Sequence, residues 1–478
     1  MTVKPVGVFA VGVSAPAFRL PISEARAAWG EGGGRGQVAV CGADEDTLTL
    51  AWEAGDAALE ALGETGTGNG GAGVDGLWWG TTRPPFAEGP SHAFLVAALG
   101  IEPTASAGLN SGSPHAGMEA LCSAWDAVAA GHAERALVIV SDALLPGLGT
   151  ASETNYGAGA VAIVLGPVVG APAVLRSRAT RSMPVLDRYR ADGGTANGDP
   201  YDPRLFREEV YLPLMSEVAR TVADDPAVAA PVAAWSFADP DGKLASVLAK
   251  RLGSPAPLSV PVQAELGDTG AAACLLGLVP SLAEAAMVGA TGYGGGTATS
   301  VSIEVNHPVP GADGSMSRLE KGRKVTYLEA ARSRGLIEAM TDPVPMGLPP
   351  GGAAFVRGNP EMLGLFGARC RTCATISTPP SVHPTCTGCG GEDLEVVPLS
   401  RRGTVQTFVV NQTMPAPFVA PLPLLVLDLD DGARLMVQGT PDDAPSIQIG
   451  DRFRLTLRRY ALERGVPVYG FKAVREEA

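Results

Sequence analysis

Four of the seven cysteines stand in two pairs, Cys370-x2-Cys373 and Cys386-x2-Cys389, with twelve residues between the pairs. No other feature restricts the fold as tightly. Each CxxC makes a tight turn with both sulfurs on one side, and two such turns close a tetrahedral thiolate site. Protein then supplies all four ligands and leaves no open position for chemistry, so the expected ion is a structural zinc. A pair of disulfides is the other way to use four cysteines, and it suits a secreted chain. Cys41, Cys122 and Cys274 are scattered and are expected to stay reduced.

The cluster accounts for a small part of 478 residues, 46% of them hydrophobic. A chain this long exceeds one ordinary core, so two or three domains are expected. The net charge of −14 argues against nucleic acid or an anionic membrane as main partner. No apolar run reaches the length of about eighteen residues that a membrane span needs. The opening "MTVKPVGVFAVGVSAPAF" lacks a signal-peptide core and cleavage site and reads as a buried first strand. A cytoplasmic location is expected.

Upstream of the cysteines, strand and helix patterns alternate. Residues 4–16 alternate like a strand. "DEDTLTLAWEAGDAALEALG" places Leu48, Ala51, Trp52, Ala58, Leu59 and Leu62 on one helical face, and Gly63 ends it. "VDGLWWGT" reads as a buried strand and "SPHAGMEALCSAWDAVAAG" as a helix. "RALVIVSDA" and "GAGAVAIVLG" read as strands. The second half echoes this order. "PVAAWSFADPDGKLASVLAKRLG" is strand then helix, "GDTGAAACLLGLVPSLAEA" is helix, and "AAMVGATGYG" and "TATSVSIEV" are strands. The repeat predicts a duplicated, layered α/β domain over 1–340, with halves of about 1–168 and 169–340. A Pro/Gly-rich linker and docking segment follows at 341–364. The zinc ribbon takes 365–397, and short strands over 398–478 fit a small β-barrel. From residue 400 on, ten Arg/Lys face nine Asp/Glu, which is no nucleic-acid footprint.

Three Gly-rich stretches resemble phosphate loops only superficially. "GEGGGRG" and "GTGNGGAG" lack a preceding strand and a following helix. "GYGGGTATS" runs from one strand into another, so no dinucleotide site is expected.

In "LNSGSPHAGMEAL" (109–121) a loop runs into a helix. Ser113 suits an N-cap and Pro114 a first helical residue. His115 then sits in the first turn, where the positive helix end favours the neutral ring. The functional alternative makes Ser113 a nucleophile. It then needs a general base, because a serine hydroxyl is not ionised at neutral pH.

Residues 1–340 resemble the 3-hydroxy-3-methylglutaryl-CoA synthases of the thiolase superfamily, especially the short archaeal type. The likeness rests on "AWGEGGG", "GADEDTLTLAWEA", "VSDALLPGLGTASETNYGAGAVAIVLG", "DRYRADGGTANGDPYDPRLFREEV", "DPDGKLASVLAKRLG", "GDTGAAACLLGL" and "KVTYLEAARSRG". Residues 345–475 resemble the zinc-ribbon/OB-fold family that accompanies thiolase-like enzymes and contacts acyl-CoA. The resemblance implies a duplicated, layered thiolase-like α/β fold followed by a zinc ribbon and a small OB-type barrel. It implies CoA or carrier-protein thioesters as substrates, and acyltransferase or condensation chemistry in a biosynthetic setting.

The family's four catalytic residue types do not carry over. Its glutamate falls at Thr82, its cysteine at Pro114 with Ser113 beside it, its histidine at Ala238 and its asparagine at Asp268. Hydroxymethylglutaryl-CoA synthase activity is therefore not expected. The remaining candidates are Ser113 as nucleophile, with His115, Asp239 or Asp268 as base. Lys243 and Thr82 are candidate substrate contacts, although Lys243 also fits a solvated helix start and Asp268 a helix cap.

Three functions fit these residues. The first is a helper or structural subunit of a thiolase-like acyltransferase assembly, working with a cysteine-bearing partner. The second is a stand-alone acyltransferase, aldolase or hydrolase that uses Ser113. The third is a scaffold for acyl carriers. A homodimer is expected, paired through the segment "ASAGLNSG".

Overall fold

The computed structural model describes residues 4–63, 73–191, 194, 197–198, 202–254, 258–337, 359–414, 420–463 and 466–476. Most of the expected linker at 341–364, and all but Gly73 of the Gly-rich stretch at 66–73, lie outside them. The chain divides into two compact units. Met1–Gly63, Gly73–His92 and Glu102–Ala339 form the first, while Ala93–Ile101 and Met340–Ala478 belong to the second.

The first half of the first unit runs β1 (Val6–Ser14), β2 (Phe18–Pro21), α1 (Ile22–Ala28), β3 (Gln37–Val40), α2 (Thr47–Leu62) and β4 (Gly76–Gly80). After α3 (Ser91–Leu99), most of which belongs to the second unit, it continues through β5 (Ser106–Asn110), α4 (Ala116–Ala130), β6 (Ala136–Ala143) and β7 (Ala158–Pro167). The second half runs β8 (Ala173–Ser182), α5 (Pro203–Phe206), α6 (Leu212–Ala223), β9 (Ala234–Phe237), α7 (Leu244–Leu252) and α8 (Ser259–Leu266). Then come α9 (Ala273–Leu278), β10 (Ala286–Gly294), β11 (Thr297–Val305), α10 (Ser315–Glu320), β12 (Arg323–Lys324) and α11 (Tyr327–Ser333).

The strands line up as β5-β4-β6-β7-β1-β8-β11-β10-β9. This order contains the duplication. In the first half β4 and β6 are parallel, β6 and β7 antiparallel, and β7 and β1 antiparallel. In the second half β9 and β10, β10 and β11, and β11 and β8 repeat those three orientations in the same sequence. Within the sheet the halves meet at β1 and β8, through the pairs Gly7↔Val174 and Val8↔Ala173.

Local chemistry sets the element ends. Asp46 caps α2 by accepting from Leu48 and Thr49 N–H, and the Thr49 hydroxyl accepts from Asp46 N–H in return. Gly63 closes the helix at φ 84°, a conformation that costs glycine nothing. Between these ends α2 buries Trp52 completely, and truncating such a side chain costs about 3–5 kcal/mol. The α4 and α9 faces share one core: Met118, Leu121 and Ala124 cluster with Ala272, Cys274 and Leu275.

One expected helix is broken. "GDTGAAACLLGLVPSLAEA" folds as a 3-10 turn at Gly270–Ala272, the short α9, and a second 3-10 stretch at Val279–Ala283. Gly270 sits at φ 56°, outside helical geometry. Pro280 has no N–H to continue the ladder.

In the second unit, α12 (Asn359–Gly364) leads into β13 (Phe366–Cys370), β14 (Ile376–Ser377) and β15 (Leu394–Pro398), a sheet of order β14-β13-β15. The antiparallel strands β16 (Arg402–Asn411), β17 (Leu422–Leu429), β18 (Arg434–Gln438), β19 (Arg452–Glu463) and β20 (Val466–Arg475) follow in the order β18-β17-β16-β19-β20. A bridge between Gly439 and Ala473 brings the two edges together as a barrel. Residues 93–101 pack within this unit. Phe94 meets Tyr469 edge-on at 6.2 Å, and the Ala98 carbonyl accepts from Arg401 at 3.0 Å.

Candidate active site and cysteine cluster

The loop between β5 and α4 carries Ser113. Its Oγ accepts from His115 N–H at 3.2 Å, and its carbonyl accepts from Ala116 N–H at 3.0 Å. A tight turn therefore precedes the helix. Regular α4 geometry begins at Ala116 with His115 in the cap position, not at Pro114 with Ser113 as cap. The β10–β11 hairpin packs against this turn through glycine. A Cβ on Gly294 would stand 2.5 Å from the His115 nitrogen, and one on Gly295 would stand 3.0 Å from the Ser113 Cβ.

The buried His115 ring turns away from Ser113. Its Nδ1 meets Glu119 Oε1 at 3.1 Å and its Nε2 meets Thr299 Oγ1 at 2.7 Å. A carboxylate only accepts, so the proton belongs on Nδ1, and Nε2 accepts from the Thr299 hydroxyl. The hydrogen bond from His115 holds the Glu119 carboxyl below its ordinary value.

A second constellation forms where β4, β6 and the turn before α9 converge. Asp142 is fully buried at the end of β6. It accepts from the Thr81 and Thr82 hydroxyls at 3.1 and 2.8 Å, and from Thr82 and Ala271 N–H at 3.0 and 2.9 Å. Burial raises its carboxyl, and these donors pull it back. Thr82, a candidate substrate contact, thus spends its hydroxyl on Asp142. Gly270 makes this approach possible, because a Cβ there would lie 2.3 Å from Asp142 Oδ2.

Asp268 is held by a backbone bridge: its N–H donates to Asn155 and its carbonyl accepts from Gly157 N–H. Its carboxylate accepts from Arg188 at 2.8 Å and from Gly270 N–H at 2.9 Å. Burial pushes it up, and Arg188 opposes that push. Asp239 Oδ2 accepts from Ala245 N–H at 2.8 Å, at the start of α7. Asp239 Oδ1 is buried without a hydrogen-bond partner among the described residues. Burial, reinforced by Asp241, pushes this carboxyl up to about 6. Asp239, Asp268, Gln263 and Thr269 line a cavity of about 10 Å³, room for one water. Lys243 is exposed at the N-terminus of α7, where its N–H donates to Asp241 at 3.0 Å.

The structure thus brings Asp239 and Asp268 to one cavity. It places Thr82 with Asp142, and directs the His115 ring, Asp239 and Asp268 to partners other than Ser113. Sequence reasoning missed Asp142 and Arg188. A charged residue closing the apolar run "ALVIVSD" was the available signal for Asp142. Arg188 had none, since its partner lies 80 residues away.

In the second unit the four cysteine sulfurs lie within 4.8 Å of one another. Cys370 to Cys389 is 3.6 Å and Cys373 to Cys386 is 3.5 Å. Thiolates about 2.3 Å from a tetrahedral zinc stand roughly 3.8 Å apart, so the cluster fits that ion. Among the described residues no helix is long and apolar enough to cross a membrane.

A duplicated sheet, a site at two helix starts and a four-cysteine ribbon followed by a barrel define a thiolase-like condensing-enzyme fold carrying an OB-fold module. The chain is 28% identical over 291 residues to a hydroxymethylglutaryl-CoA synthase of Aeropyrum pernix, covering 58% of this chain and 77% of that one. The family described as "ChsH2, C-terminal OB-fold domain" matches residues 396–458. A DUF35 domain-containing scaffold protein of Methanothermobacter thermautotrophicus is 32% identical over 118 residues, 24% of this chain and 87% of that one. Among solved structures, MvaS in complex with 3-hydroxy-3-methylglutaryl coenzyme A matches with a TM-score of 0.57 and 20% identity, over 71% of this chain and 94% of that one. The curacin-pathway HMG synthase in complex with acetyl donor-ACP matches with a TM-score of 0.57 and 17% identity, over 69% and 88%. Through its C-terminal quarter the chain belongs to the DUF35 domain-containing proteins, and that module is fused to a hydroxymethylglutaryl-CoA synthase-like domain.

Proposed function

We propose that this protein handles acyl thioesters of CoA or a carrier protein within a thiolase-type acyltransferase assembly, as a helper subunit whose own synthase site is degenerate. One observation carries the reading: each candidate base is committed away from Ser113. Ser113 Oγ accepts a hydrogen bond from its own turn, and His115, Asp239 and Asp268 bond elsewhere. A hydroxyl with no base to take its proton is a poor nucleophile. The second unit supports the same reading, because a curated relative of this module is named a scaffold protein. The acyl carrier in the curacin-pathway complex makes a carrier-borne thioester a reasonable cargo. A cysteine-bearing thiolase-like partner then supplies the nucleophile, and zinc at Cys370, Cys373, Cys386 and Cys389 supports the ribbon.

The test is intact-mass analysis of the full chain incubated with acetyl-CoA and acetoacetyl-CoA. The expected result is no covalent acyl adduct and no acyl transfer by the chain alone. An adduct that maps to Ser113 and vanishes in a folded Ser113→Ala variant overturns the helper reading.

A further inference from the structure

Two buried carboxylates, Asp239 after β9 and Asp268 before α9, line the cavity of about 10 Å³, and each is only 3% exposed. Arg188 pairs with Asp268 at 2.8 Å, so one guanidinium meets one carboxylate there. Asp239 has no such counter-charge among the described residues. Its Oδ2 accepts from Ala245 N–H at the start of α7, and its Oδ1 has no hydrogen-bond partner. The nearby donors are spent on backbone: the Tyr211 hydroxyl on the Ala238 carbonyl, and Gln263 Nε2 on the Asp239 carbonyl. Asp241, exposed on the same loop, adds repulsion.

A buried carboxylate costs free energy until a donor and a counter-charge reach it. A water in the cavity supplies a donor and no charge. A proton removes the charge at low pH. A cation supplies the charge while the carboxyl stays ionised. The polar groups that line the cavity offer oxygen: the two carboxylates, the Ser259 and Thr269 hydroxyls, and the side-chain carbonyl of Gln263. Oxygen ligands suit hard cations. With Asp268 already neutralised by Arg188, one negative charge is left over, which matches an ion of charge one. Among the described residues only the four cysteines bring three or more His, Cys, Asp or Glu ligand atoms together, so the cavity lacks the richer carboxylate set that divalent ions favour.

We infer that this cavity binds a monovalent cation of about water's size, a potassium ion, with Asp239 as its charged ligand. The ion would tie the loop after β9 to the loop before α9. The site stands independently of the acyl-thioester reading.

Thermal melts of the full chain at pH 8, where Asp239 is ionised, test it in potassium, sodium and choline chloride at equal ionic strength. The midpoint is expected to rise by roughly 5 °C in potassium over choline, at a concentration about a hundred times Kd, and to rise less in sodium. Asp239→Asn keeps an oxygen for Ala245 N–H and lacks the charge, and its midpoint is expected to be the same in all three salts. Thallium(I), a potassium mimic with strong anomalous scattering, is expected to give a peak beside Asp239 in wild-type crystals soaked in thallium(I) acetate. That readout does not require the variant to fold. Equal wild-type midpoints in potassium and choline would mean a water only, and would overturn the inference. A potassium effect that persists in folded Asp239→Asn, or thallium that binds elsewhere and not at Asp239, overturns it as well.

Discussion

Asp239 shows how one unanswered oxygen sets a pH response. Its carboxyl stands at about 6 because it is buried, whereas the unfolded chain returns it to the ordinary carboxylate range. The folded state therefore holds a proton that the unfolded state has released. The resulting stability is undiminished below about pH 4 and is lost as pH rises through about 6. Asp239→Asn keeps an acceptor for Ala245 N–H and removes the charge. Denaturant melts at pH 5 and 8 are expected to show the wild type losing roughly 1–1.5 kcal/mol relative to this variant, at ~1.4 kcal/mol per pH unit. Equal pH profiles would count against an uncompensated Asp239. Gly270 is constrained in a different way, by a left-handed backbone and a carboxylate in its Cβ space. Gly270→Ala is expected to cost roughly 1–3 kcal/mol and to disturb the Asp142 bonds. A thermal melt unchanged from wild type would refute that account. The sequence singled out Asp239 only as a candidate base, and Gly270 not at all, because the carboxylate that fills its Cβ space comes from Asp142, distant in the chain.

Elements were legible where their ends carry local chemistry. Asp46 and Gly63 mark α2, and the Gly295–Gly296 turn joins β10 to β11 as the run "GYGGGTATS" suggested. The helix expected after Asp268 was not legible as a broken one. Its small apolar residues suit a continuous helix, and it is Asp142, from the other half, that uses the unpaired N–H of Ala271. The cysteine ribbon lies at the other extreme, since its spacing alone predicted the cluster. Metal analysis of the purified chain is expected to give one zinc, lost in a Cys373→Ser/Cys386→Ser variant. Removing the ion is expected to make residues 366–398 protease-sensitive, since binding and folding of such a ribbon are linked. A metal-free chain with an intact, protease-resistant ribbon would exclude this role.

At the scale of the whole molecule, β5 is one edge of the nine-stranded sheet, opposite β9, and its residues Ser106–Asn110 are all half-buried. An unprotected edge strand invites a second strand. The expected species in solution is a homodimer paired along β5, and Leu109→Lys is expected to yield monomers by light scattering. A wild type that is monomeric at micromolar concentration would remove this expectation.

The core shared by α4 and α9 has a consequence in time. A ribosome making roughly 5–20 residues per second finishes α4 long before α9. Some 140 residues separate them, from Ala130 to Ala273, which is a delay of roughly 7–30 s. Throughout that interval Met118, Leu121 and Ala124 have no opposing helix, and the first half is a sticky nascent chain. Chains arrested before Ala273 are expected to be retained by chaperones or to aggregate, while chains extended past β11 are released as compact protein.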